Sequence, residues 1–179
     1  MNRLASRDFG AYAAAIRQRE CSGDYSQVNR YGYTGAYQFG KPALIDAGFL
    51  DKKGQWTPYA VSLGVDSWQA FKNNPEAQDT AFQNFTKKNW SYLKDYKSYV
   101  GQTIGGIPVT VSGMLAGAHL VGAGAVREFL RSGGTKIPRD GNGVPVTEYM
   151  KKFGGYDFPV NGSRGSPGSP SGDRIPAVR

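Results

Sequence analysis

Residues Arg17 to Gly40, RQRECSGDYSQVNRYGYTGAYQFG, constrain the fold more than any other stretch of the chain. A helical pattern runs into Glu20 and must stop there. Ser22-Gly23-Asp24 are turn formers. Residues 25–40 are too rich in glycine and tyrosine to extend a helix. Upstream, Phe9, Ala13, Ile16 and Glu20 recur at helical spacing and therefore share one face. The first three are apolar, which makes that face the core side. A carboxylate closing a core-facing stripe is unusual, because an unpaired buried charge is costly. A desolvated carboxyl group instead keeps its proton to higher pH. That is the property a general acid needs for sugar cleavage.

Three ordered motifs add to this. Glu20-Cys21-Ser22-Gly23-Asp24-Tyr25 comes first, Gly35-Ala36-Tyr37-Gln38-Phe39-Gly40 second, and Ala118-His119-Leu120-Val121-Gly122 third. Together they resemble the lysozyme-like superfamily, in its lytic transglycosylase and goose-type muramidase branch. There a helix-terminal Glu is followed by Ser and Gly, a Gly-x-x-Gln segment lines the cleft, and an Ala-x-x-x-Gly helix packs behind the Glu. The resemblance runs from about Asp8 to Phe158. It implies a mainly α (α+β) two-lobed fold, with a small β-hairpin or loop lobe beside a central helix. It also implies cleavage of the β-1,4 bond between N-acetylmuramic acid and N-acetylglucosamine in peptidoglycan. Residues 1–158 would form the catalytic domain.

The resemblance assigns roles residue by residue. Glu20 would protonate the glycosidic oxygen; its bland alternative is a helix-end pair with Arg17 or Arg19. Tyr37 and Gln38 match the segment that contacts sugar N-acetyl groups, with Tyr33 as a further substrate-binding candidate. Tyr149 falls near a position where a Tyr approaches the Glu. His119 would support Glu20 or line the cleft, with simple packing as its alternative. Cys21 stands where the family has Ser, and a thiol is a weaker donor than a hydroxyl. A Cys21–His119 nucleophilic pair is conceivable on residue types alone.

A second carboxylate decides the reaction. Inverting hydrolysis needs a base about 6.5–9.5 Å from the acid, and retention through a carboxylate nucleophile needs about 5–5.5 Å. Asp24 is the candidate, although it also suits a turn cap. Phage-type lysozymes carry an acid a little further downstream, where this chain has Asn29. Lytic transglycosylases need no second protein carboxylate, since the substrate's own 6-hydroxyl attacks and a 1,6-anhydro end forms. Muramidase and transglycosylase both stay open. An inert peptidoglycan-binding module that keeps the fold is the alternative outside catalysis.

A net charge of +8 favours polyanionic partners such as the bacterial wall, nucleic acid or anionic membranes. The charge is dispersed, and no nucleic-acid-binding motif accompanies it, so peptidoglycan is the expected partner rather than nucleic acid. A delivery apparatus or an inhibitor protein is compatible with that setting. The single cysteine excludes an intramolecular disulfide. No apolar run approaches the ~18 residues of a membrane span, so no membrane insertion is expected. The first residues lack the apolar core of a signal peptide, so action at the cell wall would need another route or a longer protein. No residue cluster suits a metal, no phosphate loop is present, and no cofactor is expected.

In order, Asp8 caps a helix to about Arg19 or Glu20. A hairpin or irregular loop covers 25–40 and turns near Gly32 or Gly35. Short helices follow Pro42 and Pro58, and Asp66 would cap another over 67–73. Asn74-Pro75 opens the longest helix, to about Ser98, with Ala81, Phe85, Tyr92 and Tyr96 on its apolar face and Trp90 and Leu93 widening it. Residues 101–106 read as a loop. An apolar helix over 110–121 has the small residues Ser112, Gly113, Ala116 and Gly117 for close packing. Helices over 125–131 and 147–153 come after it, separated by a turn at Asn142-Gly143. From Pro159 the composition shifts to Gly, Ser, Pro and Arg, a flexible tail over 159–179.

Overall fold

The computed structural model describes residues 7–157, so the tail read over 159–179 lies outside the described residues. Among these residues the chain is mainly helical, with one small antiparallel sheet. In order come α1 (Phe9–Cys21), α2 (Lys41–Asp46), α3 (Pro58–Ser62), α4 (Trp68–Lys72) and α5 (Pro75–Leu93). A 3-10 turn (Lys94–Tyr99), β1 (Thr103–Ile104), β2 (Ile107–Pro108), α6 (Val111–Val121), α7 (Ala123–Arg131) and α8 (Val146–Lys152) complete it. No helix among the described residues is long and apolar enough to cross a membrane. The described chain divides into two units, 13–88 and 7–12 with 89–157, and the divisions fall within α1 and α5.

In the unit 13–88, helix ends follow the cap chemistry. Asn74 Oδ1 accepts from the Ala77 amide at 3.0 Å and opens α5. The cap of α4 is Ser67 rather than the expected Asp66: its hydroxyl accepts from the Ala70 amide at 3.0 Å, which starts the helix one residue later. The core is aromatic. Tyr37 stacks on Phe82 with ring centroids 4.1 Å apart and planes 5° apart, and Phe39 meets Phe71 and Phe85, each at 5.9 Å. Stacked, tilted and edge-on ring pairs of this kind add to the gain from area burial.

The segment 25–40 is irregular rather than a regular hairpin. Thr34 makes isolated antiparallel bridges to Val28 and to Phe39, with Gly32 and Gly35 both at φ 83° where the chain reverses. At Gly35 the positive φ is matched by crowding, because a Cβ there would collide with the Gln78 carboxamide. The regular strand pair lies elsewhere, with β1 and its turn inside the stretch 101–106 read from sequence as a loop and β2 just after it. Gly105 and Gly106, at φ 58° and 79°, supply the two left-handed residues that a two-residue hairpin turn requires.

In the unit 7–12 with 89–157, α6 packs against both α7 and α8. Residues Ser112 to Ala118 are all buried, as the apolar run predicts. A Cβ on Gly113 would sit 2.6 Å from the Met150 carbonyl oxygen, and one on Gly117 3.0 Å from Val146. Those glycines let α8 lie directly on α6. Ser112 donates to the Phe153 carbonyl at 2.7 Å and accepts from the Tyr156 amide at 3.1 Å. Arg7 donates to the carbonyls of Gly155 and Gly154 and lies over the Tyr156 ring, tying the two chain ends of this unit together. The expected turn at Asn142-Gly143 is present, with Asp140 Oδ1 accepting from the amides of Asn142 and Val144.

The longest helix differs from its sequence reading at its C-terminal end. It stops at Leu93 and tightens into the 3-10 turn, so Tyr92 is exposed and Tyr96 lies past the helix. Ala81, Phe85, Trp90 and Leu93 do form its buried face, joined by Ala77 and Phe82.

Candidate functional site

Helix α1 sets up the first candidate. Asp8 Oδ1 accepts from the Ala11 amide at 2.9 Å and fixes where the helix begins. Phe9, Ala13 and Ile16 are buried, as their spacing predicts, and Glu20 is half-buried in the last turn. The helix runs to Cys21 and is stopped by two successive left-handed residues, Ser22 (φ 55°) and Gly23 (φ 83°). Glycine takes that conformation freely, whereas a serine there costs about 1–2 kcal/mol. The abrupt stop leaves Glu20 on the final helical turn.

Cys21 is buried, and its sulfur lies 3.1 Å from the Asp24 carbonyl oxygen and 3.3 Å from that of Ala36, the two sharing its single proton. Burial pushes the thiol pKa up, only partly offset by the backbone of Gly23 and Asp24. A thiol held protonated is a poor nucleophile, so the residue works as a strut between the turn and the segment at Ala36.

Asp24 is exposed, and one of its oxygens accepts from both the amide (2.8 Å) and the hydroxyl (2.7 Å) of Ser26. These bonds, with a contribution from Lys72, hold its carboxyl below the usual aspartate range. It is built as a turn carboxylate. Lys72 also lines an open depression of about 340 Å3 with Val28, Gly32, Thr34, Trp68 and Gln69.

Tyr37 is buried, and its hydroxyl is the hub of a polar cluster. It accepts from Arg17 Nη1 at 2.7 Å and donates to Asp79 Oδ1 at 2.7 Å. The Tyr25 hydroxyl donates to the same oxygen at 2.8 Å, and Arg17 Nη1 lies 3.8 Å from it. Burial first, then Asp79, push Tyr37 well above the ordinary phenol range and Tyr25 up to about 12. Burial works to lower the Arg17 pKa, but Tyr37, Tyr25 and Asp79 outweigh it and the net shift is upward.

Next to it, Gln38 is half-buried at φ 53°, a second non-glycine residue in the left-handed region. Its carboxamide donates to the Gly35 carbonyl at 3.0 Å. Tyr33 is exposed, with its ring against the backbone of Gly40, where a Cβ would approach it to 2.7 Å. Behind the segment, the fully buried Gln78 accepts from the Ala36 amide, and its two N–H protons are shared among the carbonyls of Tyr25, Phe71 and Lys72.

Glu20, Asp24, Tyr33, Tyr37 and Gln38 thus belong to the unit 13–88, where Cys21, Gln78 and the Arg17 cluster join the end of α1 to the segment 36–38. His119 and Tyr149 belong to the other unit. His119 is half-buried in the last turn of α6. Tyr149 is buried on α8, its ring 5.1 Å from that of Phe153. Tyr149 also adds to the upward shift that burial imposes on Tyr12. Among the described residues no group of three or more His, Cys, Asp or Glu could hold a metal.

Sequence reasoning did not single out Asp79, Gln78 or Tyr25, and it read Arg17 only as a salt-bridge partner for Glu20. Nothing in an isolated helix marks Asp79 as the acceptor for two tyrosines far away in sequence. Comparison of the chain with protein-family models, with curated proteins and with solved structures gives no match in any of the three.

Proposed function

We propose that the protein is a lysozyme-like peptidoglycan glycosidase that cleaves the β-1,4 bond between N-acetylmuramic acid and N-acetylglucosamine, with Glu20 as general acid. The observation that carries this reading is the half-buried Glu20 on the last turn of α1, tied through Arg17 and Cys21 to the segment bearing Tyr37 and Gln38. The Glu20 carboxyl gives its proton to the leaving oxygen as the C1–O4 bond breaks. In hydrolysis, water adds to C1 and its proton passes to Asp24 as the candidate base. Gln38 and Tyr33 would contact the N-acetyl sugars, Tyr37 would hold Gln38 in place, and His119 and Tyr149 remain supporting candidates by motif position. The +8 charge would favour adsorption to the anionic wall, where the protein would act as a bacteriolytic enzyme.

Anhydro-forming cleavage is the second reading, and Asp24 favours it. One of its oxygens already accepts from the Ser26 amide and hydroxyl, which hold the carboxyl below the usual aspartate range and make it a poorer base. If it does not activate water, the muramic 6-hydroxyl attacks C1 and returns its proton to the Glu20 carboxylate.

Mass spectrometry of soluble products from purified sacculi tests both readings. The expected result is muropeptides released by the wild type and absent with Glu20→Gln. Reducing ends indicate hydrolysis and 1,6-anhydro ends indicate transglycosylation. Binding to sacculi without soluble products from either protein would instead indicate a binding module.

A further inference from the structure

We infer that Arg17 and Asp79 are positioning residues: they clamp the Tyr37 hydroxyl and thereby fix the Tyr37–Gln38 strap against the turn of α1 that carries Glu20. This rests on the reading of Glu20 as proton donor.

The clamp leaves the phenol no freedom. A tyrosine hydroxyl has one proton to give and lone pairs to accept with. The proton goes to Asp79 at 2.7 Å and a lone pair takes Arg17 Nη1 at 2.7 Å. Phe82 packs flat on the ring, with centroids 4.1 Å apart and planes nearly parallel. Arg17 lies three residues before Glu20, so the two are neighbours on the helix surface. Anchoring the guanidinium therefore anchors the terminal turn. On the other side, Tyr37 immediately precedes Gln38, whose left-handed backbone persists only where its surroundings over-determine it.

Two further side chains act on the same strap at Ala36. Its amide donates to Gln78 Oε1 at 2.9 Å, and its carbonyl oxygen lies 3.3 Å from the Cys21 sulfur, sharing the thiol proton with the Asp24 carbonyl. The strap is thus held at Ala36 and at Tyr37 by side chains from α1 and α5. A connected polar network of this kind specifies one geometry more tightly than an apolar contact of equal area. Its position between the proton donor and the candidate sugar contact is where such tightness affects rate.

The test uses the full chain and soluble, stem-bearing peptidoglycan glycan chains. Tyr37→Phe removes the clamped hydroxyl, Asp79→Asn removes the charge while keeping the shape, and the double variant removes both. Circular dichroism and thermal melting select folded protein; Asp79→Asn serves alone if Tyr37→Phe does not fold. Displacement of catalytic groups by about 1 Å costs on the order of 10- to 100-fold in rate. The expected result is a kcat loss of that size in each single variant, with KM changed by less than about threefold. The double variant should be no slower than the slower single one, since both changes open the same clamp.

Folded variants that cleave at the wild-type rate would overturn the inference, as would losses that merely track the unfolded fraction or that multiply in the double variant. Wild-type and Glu20→Gln controls separate the two levels. Equal inactivity of both overturns the glycosidase reading and the positioning role with it. An active wild type, an inactive Glu20→Gln and fully active clamp variants overturn the positioning role alone.

Discussion

In the unit 13–88, polar side chains reach deep inside. Gln78 is fully buried against four backbone partners, Tyr37 is buried with two hydrogen bonds, and Thr34, Thr80 and Thr86 of the same unit are buried as well. In the unit 7–12 with 89–157, the tight places are backbone against backbone. Gly113 faces the Met150 carbonyl, and Gly134 faces the backbone of Gly105. The first arrangement holds an irregular segment that has no ladder of its own. The second holds mainly regular helices that satisfy their own backbone, with Ser112 serving the Phe153 carbonyl and Tyr156 amide just past α8. An irregular strap must borrow hydrogen bonds from side chains, since its buried amides and carbonyls still need partners. That is why the side-chain networks concentrate around 25–40.

Removing the means each unit uses puts that contrast at risk. The largest effect is expected for Gln78→Leu, which takes the partner from the Ala36 amide and leaves buried carbonyls under-satisfied. A loss of about 3–5 kcal/mol is expected in chemical denaturation. Hydrogen exchange should rise first in 25–40, and exchange rising equally in α6 and α8 would contradict the assignment. Gly113→Ala should cost about 2–3 kcal/mol by overpacking α6 against α8, read by the same denaturation, with its exchange signature in 111–121 and 146–152. A neutral Gly113→Ala would mean that α8 can shift away at little cost.

The caps give a finer test, because they should not differ between units. Ser67 and Thr110 both accept from the amide three residues on, at 3.0 Å each. Ser67→Ala and Thr110→Ala should each lower stability by about 1 kcal/mol. A large inequality between them would show that one helix end is supported by more than its cap. The smallest change is expected at Gly124, in α7, where a Cβ would meet only Arg127 at 3.8 Å. Gly124→Ala should be neutral or stabilise by up to about 1 kcal/mol.

Alkaline pH probes the polar unit. The Tyr25 pKa is raised on folding to about 12, so the protonated phenol is the form the fold favours. Its contribution is therefore complete below the ordinary tyrosine value of about 10 and is lost as pH rises through the folded value. Melting temperature should hold through neutral pH and fall between about pH 10 and 12, with tyrosinate absorbance rising alongside. In Tyr25→Phe that fall should be shallower; an unchanged profile would remove Tyr25 from the linkage.

Local chemistry made much of the chain legible. Asp8, Asn74 and the Asn142-Gly143 turn act where their side chains and φ preferences place them, and the period of Phe9, Ala13 and Ile16 identified the buried face of α1. Each depends on neighbours within one or two turns, which the sequence displays directly. The strand pair at 103–108 was also legible in principle, through Gly105-Gly106 between two isoleucines, but it is too short to show period-two alternation. The candidate site was legible only in part. Glu20, Tyr37 and Gln38 carry a motif resemblance, and the structure places them within one unit.

Helix starts, helix stops and apolar faces follow from propensity, caps and periodicity, all of which a linear chain already contains. Packing alone turned Arg17 to Tyr37 and Asp79, made Cys21 a strut and set Gln78 behind Ala36. A side-chain hydrogen bond needs its partner within about 3 Å, and here the partners come from segments many residues apart, so no local rule could have paired them.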